Sequence, residues 1–236
     1  MNVRHAFVLA ALVAAAPAAA QQESPRWGSF DFMLSGYRPN IDQEFGGRVA
    51  PYQSAFGDGR GLMARFDVAK SLFTGFGSLE AGLGAGYFEK YGRGTNSITG
   101  LPADSTGFKV LPLRAFLTYR FDFLARLYNI PIVPFGRASL ERYQWWVLNG
   151  QGNTANSQGL AGRGATNGYS FSGGAAFLLD FLDSGVARDM DRDLGINDTY
   201  VFVDFTKSFV KDFGSSQSWN LSDERVTISG GLMFVF

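Results

Sequence analysis

Eight stretches of the chain alternate apolar and polar residues with a period of two, the spacing of a β-strand with unlike faces. They run over about Ser29–Tyr37, Leu62–Lys70, Leu79–Tyr87, Lys109–Phe121, Val133–Gln144, Tyr169–Phe181, Thr199–Phe209 and Arg225–Phe236. In the fourth, Leu111, Leu113, Ala115, Leu117 and Tyr119 alternate with Arg114, Thr118 and Arg120. The fifth is less clean, with Gly136, Ala138 and Leu140 against Arg137, Ser139 and Glu141. Such lengths exceed an ordinary globular strand and fit a tilted membrane crossing. Alternation by itself fits a two-sheet sandwich equally well, because there too one face is apolar.

The connections separate the two. Counting from an inner N-terminus, residues 38–61, 88–108, 145–168 and 210–224 form long connections rich in Gly, Asn, Ser and Gln. The intervening turns, 71–78 and 122–132, are shorter. Long outer loops with short inner turns mark an outer-membrane barrel. The third inner turn, 182–198, breaks the rule by its length. Val186, Met190 and Leu194 recur there at a spacing of four and predict a short amphipathic helix against the barrel rim. Pro112 removes a ladder hydrogen bond where a closed barrel has no edge, which predicts a bulge. The fold class expected is therefore all-β: an eight-stranded antiparallel up-and-down transmembrane β-barrel, one domain over residues 21–236.

The start of the chain belongs to something else. Arg4 and His5 precede the apolar run Ala6–Ala16, Pro17 breaks it, and Ala18–Ala20 is a small-residue cleavage site. Residues 1–20 read as a signal peptide, which implies export. Removing 20 of 236 residues leaves 216, with 20 basic against 21 acidic side chains. That balance gives no reason to expect nucleic acid as a partner. The chain has no Cys and its one His is His5, so the mature part carries neither. Disulfides and thiol chemistry are excluded.

The last strand carries a resemblance. Val226-Thr-Ile-Ser-Gly-Gly-Leu-Met-Phe-Val-Phe236 places Ile228, Leu232, Phe234 and Phe236 on the outward face and ends on Phe. This resembles the terminal signature read by the barrel-assembly machinery of the bacterial outer membrane. The whole mature chain is similar to small barrels of the OmpA-transmembrane, OmpX and OmpW kind. The segments Pro112–Arg120 and Pro134–Leu140 are similar to strand openings there, and Asp189–Asp204 resembles uncharacterised barrels of myxobacterial type. The resemblance implies outer-membrane lipid and the assembly machinery as partners, no cofactor, and a location in the bacterial outer membrane. It also brings in the barrel enzymes: lipid A deacylases, palmitoyltransferases, phospholipases and omptin proteases. Those rely on a histidine for proton transfer, and the mature chain has none, so no catalytic residue is assigned.

Ten charges fall on the inward faces: Asp31, Arg65, Asp67, Glu80, Arg114, Arg120, Arg137, Glu141, Asp180 and Asp204. They read as a salt-bridge network filling the lumen, since eight strands leave a space that side chains fill. The other reading is an ion-lined pore. Gly82-Leu-Gly84-Ala-Gly86 lacks the rest of a phosphate-loop fingerprint and reads as room for bulky lumen neighbours. Asp189, Asp191 and Asp193 mimic a calcium loop, but Leu194 and Tyr200 stand where Gly and Glu are required, so no metal is expected. Tyr87, Tyr143, Trp145, Trp146 and Tyr169 are expected at the outer aromatic girdle, and Tyr119, Phe121, Phe181 and Phe236 at the inner one. Adjacent Trp145 and Trp146 cannot both face lipid, so one is expected in the lumen mouth. The function expected is a non-enzymatic scaffold displaying outer loops to an extracellular ligand; the alternative is a narrow conduit for small ions or apolar molecules.

Overall fold

A computed structural model describes residues 25–46, 48–95, 102–128, 130–157, 159–215 and 218–236. The expected signal peptide, residues 1–20, lies outside the described residues. Eight long strands form the main sheet: β1 (Gly28–Tyr37), β2 (Gly61–Gly75), β3 (Gly77–Thr95), β4 (Pro102–Arg120), β5 (Ile132–Leu148), β8 (Arg163–Leu178), β9 (Asp198–Val210) and β10 (Thr227–Val235). A two-stranded ribbon, β6 (Asn156–Ser157) with β7 (Leu160–Ala161), decorates the β5–β8 loop. Three helices lie in connections: α1 (Pro51–Phe56), α2 (Phe123–Tyr128) and α3 (Ser184–Leu194). No helix among the described residues is long and apolar enough to cross a membrane.

The eight strands close into a barrel in the order β1-β10-β9-β8-β5-β4-β3-β2, each antiparallel to its neighbours. The seam pairs Ser29 with Val235 through Ser35 with Ser229. Beyond it, Phe236 donates its N–H to Gly28 O at 2.9 Å and accepts from the N–H groups of Trp27 and Gly28, while its ring lies 5.6 Å from that of Trp27. Closure removes both sheet edges along the ladder that the eight strands share, so their backbone polar groups there find partners within the sheet.

The period-two pattern sorts the side chains as expected. Asp31, Asp67, Glu80 and Arg120 are buried inside, whereas Leu83 is 70% and Leu140 65% exposed on the outside. Charges inside and aliphatic or aromatic residues outside is the reverse of a soluble globule. Two apolar clusters lie within the barrel, one towards each end. At the loop end Tyr37, Met63, Phe88, Phe108, Val110 and Tyr143 pack beneath loop residues Ile41, Tyr52 and Leu221. At the end bearing the termini, Val133, Phe135, Tyr200, Phe202 and Met233 do the same above Ala125 of α2.

Several expectations need correction. The strands run on past the apolar belt at the loop end, so most of the expected 88–108 loop is the β3–β4 hairpin. Pro112 sits at no bulge: the β4–β5 register passes through Pro112–Tyr143 unbroken, and Ala85–Leu113 and Phe88–Val110 keep one β3–β4 register on either side of it. The irregularities fall at Ser71/Phe73 and Arg93/Thr95 instead. The expected helix exists as α3, capped by Asp183, which accepts from the N–H groups of Gly185 and Val186, and ended by Gly195 at φ 70°. It lies against the turn Leu179–Phe181 and β9 with Met190 half-buried, but Val186 and Leu194 are exposed and α3 buries no residue, so the apolar stripe is only partly covered.

A closed barrel of this kind resists detergent. Unboiled protein in dodecyl sulfate should migrate differently from the boiled sample, and deleting Phe236 should lower the folded fraction by weakening the seam; gel densitometry reads both.

Candidate functional site

The lumen between the two apolar clusters is crossed by an ion-pair network. Arg137 on β5 donates to Asp31 on β1 at 2.6 Å, to Asp67 on β2 at 2.7 Å and to Thr118 Oγ1 on β4 at 2.7 Å. Arg114 grips the same Asp67 through two nitrogens, Nε at 2.9 Å. Both guanidinium groups also lie over the Phe116 ring, Arg137 at 4.4 Å and Arg114 at 5.6 Å. Towards the termini, Arg120 donates to Glu80 at 2.6 Å, and Ser29 Oγ to the other Glu80 oxygen at 2.9 Å. Towards the loops, Arg65 donates to the Tyr143 hydroxyl, and Glu141 accepts from Ser170 Oγ at 2.7 Å. Asp204 accepts from Thr206 at 2.5 Å, and its charge acts on Arg65 and Arg137.

The structure thus brings together nine of the ten charges named from the sequence and omits Asp180. That residue lies in the 3-10 turn Leu179–Phe181, past the end of β8, and accepts from the N–H of Thr199 at 3.1 Å. The alternation runs one step beyond the strand, which is why parity misassigned it. Tyr143 is a second correction. Only 1% exposed, it is a lumen residue rather than a girdle residue. Parity held the signal, since Tyr143 follows Arg137, Ser139 and Glu141 on one face. Of the adjacent tryptophans, Trp145 turns into the mouth and stacks on Trp219 at 4.3 Å and 14°. The glycine reading also holds: a Cβ on Gly84 would fall on Asp67 Oδ1 and one on Gly82 on the Phe116 ring.

Other residues here had a face but no partner from the sequence, or were not singled out by it. Thr118 takes its place as a side-chain acceptor for Arg137, and Met33 and Met233 sulfurs accept from Arg114 and Arg120 at 3.4 and 3.1 Å. At the mouth, buried Asp223 pairs with Arg60 and accepts from the Thr227 hydroxyl, and Tyr37 donates to Leu221 O at 2.6 Å. Arg38 meets Asp42, Asp58 and Glu224 at 3.3–3.6 Å, which ties the first long loop to the last. Asp42 in turn caps α1, accepting from Tyr52 N at 2.7 Å and Gln53 N at 3.1 Å. At the other end, Asp189 and Asp193 on α3 pair with Arg192 at 3.0 and 2.8 Å. No group of three or more metal-ligating side chains occurs among the described residues.

The Asp180 carboxyl is pushed up to about 6 by burial, with Asp198 adding to the shift and the Thr199 N–H opposing it. In the unfolded chain it titrates near its ordinary 3.8. Folding therefore works against its ionised form: the cost is full above pH 6 and fades as pH falls from 6 towards 3.8. Wild type should gain stability between pH 7 and pH 5 relative to Asp180→Asn, read as the difference in urea midpoints in detergent micelles. In the network, Arg137→Met leaves Asp31 without its hydrogen-bonded cation and Asp67 with Arg114 as its only one. It should cost roughly 3–5 kcal/mol in the same assay, the range for breaking a buried pair, and more than Arg114→Met.

No family model matches the chain, and no curated protein matches it. Among solved structures it is similar to Neisserial surface protein A, at 12% identity and a TM-score of 0.49 over 92% of this chain and 100% of that one. It is also similar to Ail, the attachment invasion locus protein of Yersinia pestis, at 10% identity and a TM-score of 0.40 over 91% and 100%. The outer membrane enzyme PagL follows at 16% identity and a TM-score of 0.37 over 88% and 98%. The architecture rests on this chain's own strand pairing, and no finding bears on the likeness of Asp189–Asp204 to barrels of myxobacterial type.

Proposed function

We propose that this chain is a bacterial outer-membrane barrel without catalytic activity, whose task is to hold four outer loops as a structured surface for an extracellular ligand. The observation that carries the reading is the inverted polarity of the wall: Leu83, Phe66, Leu117, Leu140, Phe171, Val203 and Ile228 point outward around the barrel while the arginines and carboxylates point in. Such a wall suits lipid and not water. On this reading Ile228, Leu232, Phe234 and Phe236 are what the assembly machinery engages, and all four keep the outward parity of β10.

Display is favoured over conduction by how the lumen is filled. Six of its charges, Asp31, Asp67, Glu80, Arg114, Arg120 and Arg137, are paired with one another, Arg65, Glu141 and Asp204 bond to Tyr143, Ser170 and Thr206, and an apolar cluster packs at each end. The loops, in contrast, are built: Arg38, Arg60 and Asp223 lock the first to the last, and α1 sits above Phe108 through Tyr52 at 5.9 Å. That His5 is the only histidine supports the reading without catalysis, since the barrel enzymes use a histidine for proton transfer.

Pure protein in planar bilayers should give no stepwise current; a steady single-channel conductance would transfer the assignment to a conduit. An epitope inserted after Gly57, beyond α1, should be labelled on intact cells. Labelling only after lysis would overturn the assignment of the long-loop end to the exterior.

A further inference from the structure

The outward wall of β4, β5 and β8 is not smooth. Two shallow, open hollows of about 430 and 470 Å³ lie end to end there and share Ala115 and Leu140. Strand register explains the shape. Ala115 sits between Leu83 and Leu140 in one row across the wall, and Ala138 between Leu117 and Phe171 in the row below. The groove runs for about 13 Å down β5 from Arg142 to Ala138 at the usual rise per residue.

Its loop end is polar. Arg142 lines the first cavity directly, is exposed, and makes one hydrogen bond, from Nη1 to Asn167 Oδ1 at 2.8 Å. No carboxylate lies within ion-pair distance of it among the described residues. Asp212, whose charge reaches Arg142, is occupied by the Asn167 N–H at 2.7 Å, Asn167 Nδ2 at 2.8 Å and the Ser218 hydroxyl. The next residue, Phe213, completes the wall of the groove. Asp212 and Phe213 both have left-handed backbones, φ 46° and 56°, which non-glycine residues rarely adopt. That turn lays the Phe213 ring, 69% exposed, nearly parallel to Tyr169 at 6.4 Å and 19°. One relay, Arg142–Asn167–Asp212, fixes the cation and the aromatic wall together.

Resting on the outer-membrane reading, we propose that this groove seats an acyl chain of a phosphate-bearing lipid from the leaflet on the loop side, with Arg142 binding the phosphate. An apolar channel continuous with the lipid-facing belt takes a chain. A guanidinium with donors to spare, placed where the belt gives way to Asn167 and Gln144, takes a phosphate through parallel hydrogen bonds. Lys109, on the same outward wall, is already paired with Glu89 at 3.3 Å.

The test uses the full folded chain in dodecyl maltoside micelles, with bis-phosphorylated lipid A as probe and native mass spectrometry as readout. Wild type should retain lipid A. Arg142→Gln, and Ala115→Trp which fills the groove, should each lower the retained fraction about tenfold, whereas Val203→Trp on β9 leaves it unchanged. Removing both phosphates from the probe should act on wild type as Arg142→Gln does. Equal retention in wild type and Arg142→Gln, or of the probe with and without phosphate, overturns the proposal; Arg142→Gln carries the test if Ala115→Trp does not fold. Wild type that floats with liposomes yet shows that equality overturns the groove alone. Wild type that stays in the aqueous fraction overturns the membrane reading beneath it.

Discussion

Once β1 pairs with β10, the ladder shared by the eight strands has no edge, and the consequences spread through the molecule. The backbone then needs neither water nor a second layer to satisfy its donors and acceptors. Side chains must go either into a lumen eight strands wide or outward, with no third option. The seam is short, from Ser29–Val235 to Ser35–Ser229, and is reinforced where Phe236 bonds to Gly28 and packs on Trp27. Everything inside and outside the wall inherits its position from that register.

Inside, the inherited position is a demanding one. Charges removed from water need partners, and a buried pair on its own is weak support for stability. What this network supplies is an arrangement compatible with a single register. Arg137 reaches Asp31 across 106 residues of sequence and Asp67 across 70, so a slip of any strand between them would strand a carboxylate. Phe116 beneath both guanidinium groups and the apolar clusters above and below keep water from screening the pairs. The same packing that gives the barrel its order places an apolar cluster at each end of its axis.

Outside, the wall divides the molecule's chemistry by height. The loop end has its own packing, in which Arg38, Asp42, Tyr52, Trp219 and Leu221 make a lid that belongs to the barrel core as much as to the surface. The end bearing the termini is built differently: α2 enters the core through Ala125, while α3 is capped by Asp183 and Gly195, leans on the turn Leu179–Phe181 and on β9, and buries no residue. The long turn that seemed to violate the loop rule is thus a helix with an apolar stripe only partly covered.

Period two was legible in the sequence, and with it the strand count, the face of every strand and nine of the ten lumen charges. It was legible because alternation is local: each residue's side is fixed by its neighbour's. Strand ends were not. Asp180 kept the parity of β8 after the strand had stopped, and Tyr143 kept the parity of β5 where a girdle was expected. Nor was Pro112's place in an unbroken register legible, because it depends on what stands opposite, in β3 and β5. The sequence by itself determined which face of each strand turns to the lumen. Which of them meet, what closes the mouth, and where Arg142, Asn167 and Asp212 converge were decided by tertiary structure alone, since register joins residues that local order leaves far apart.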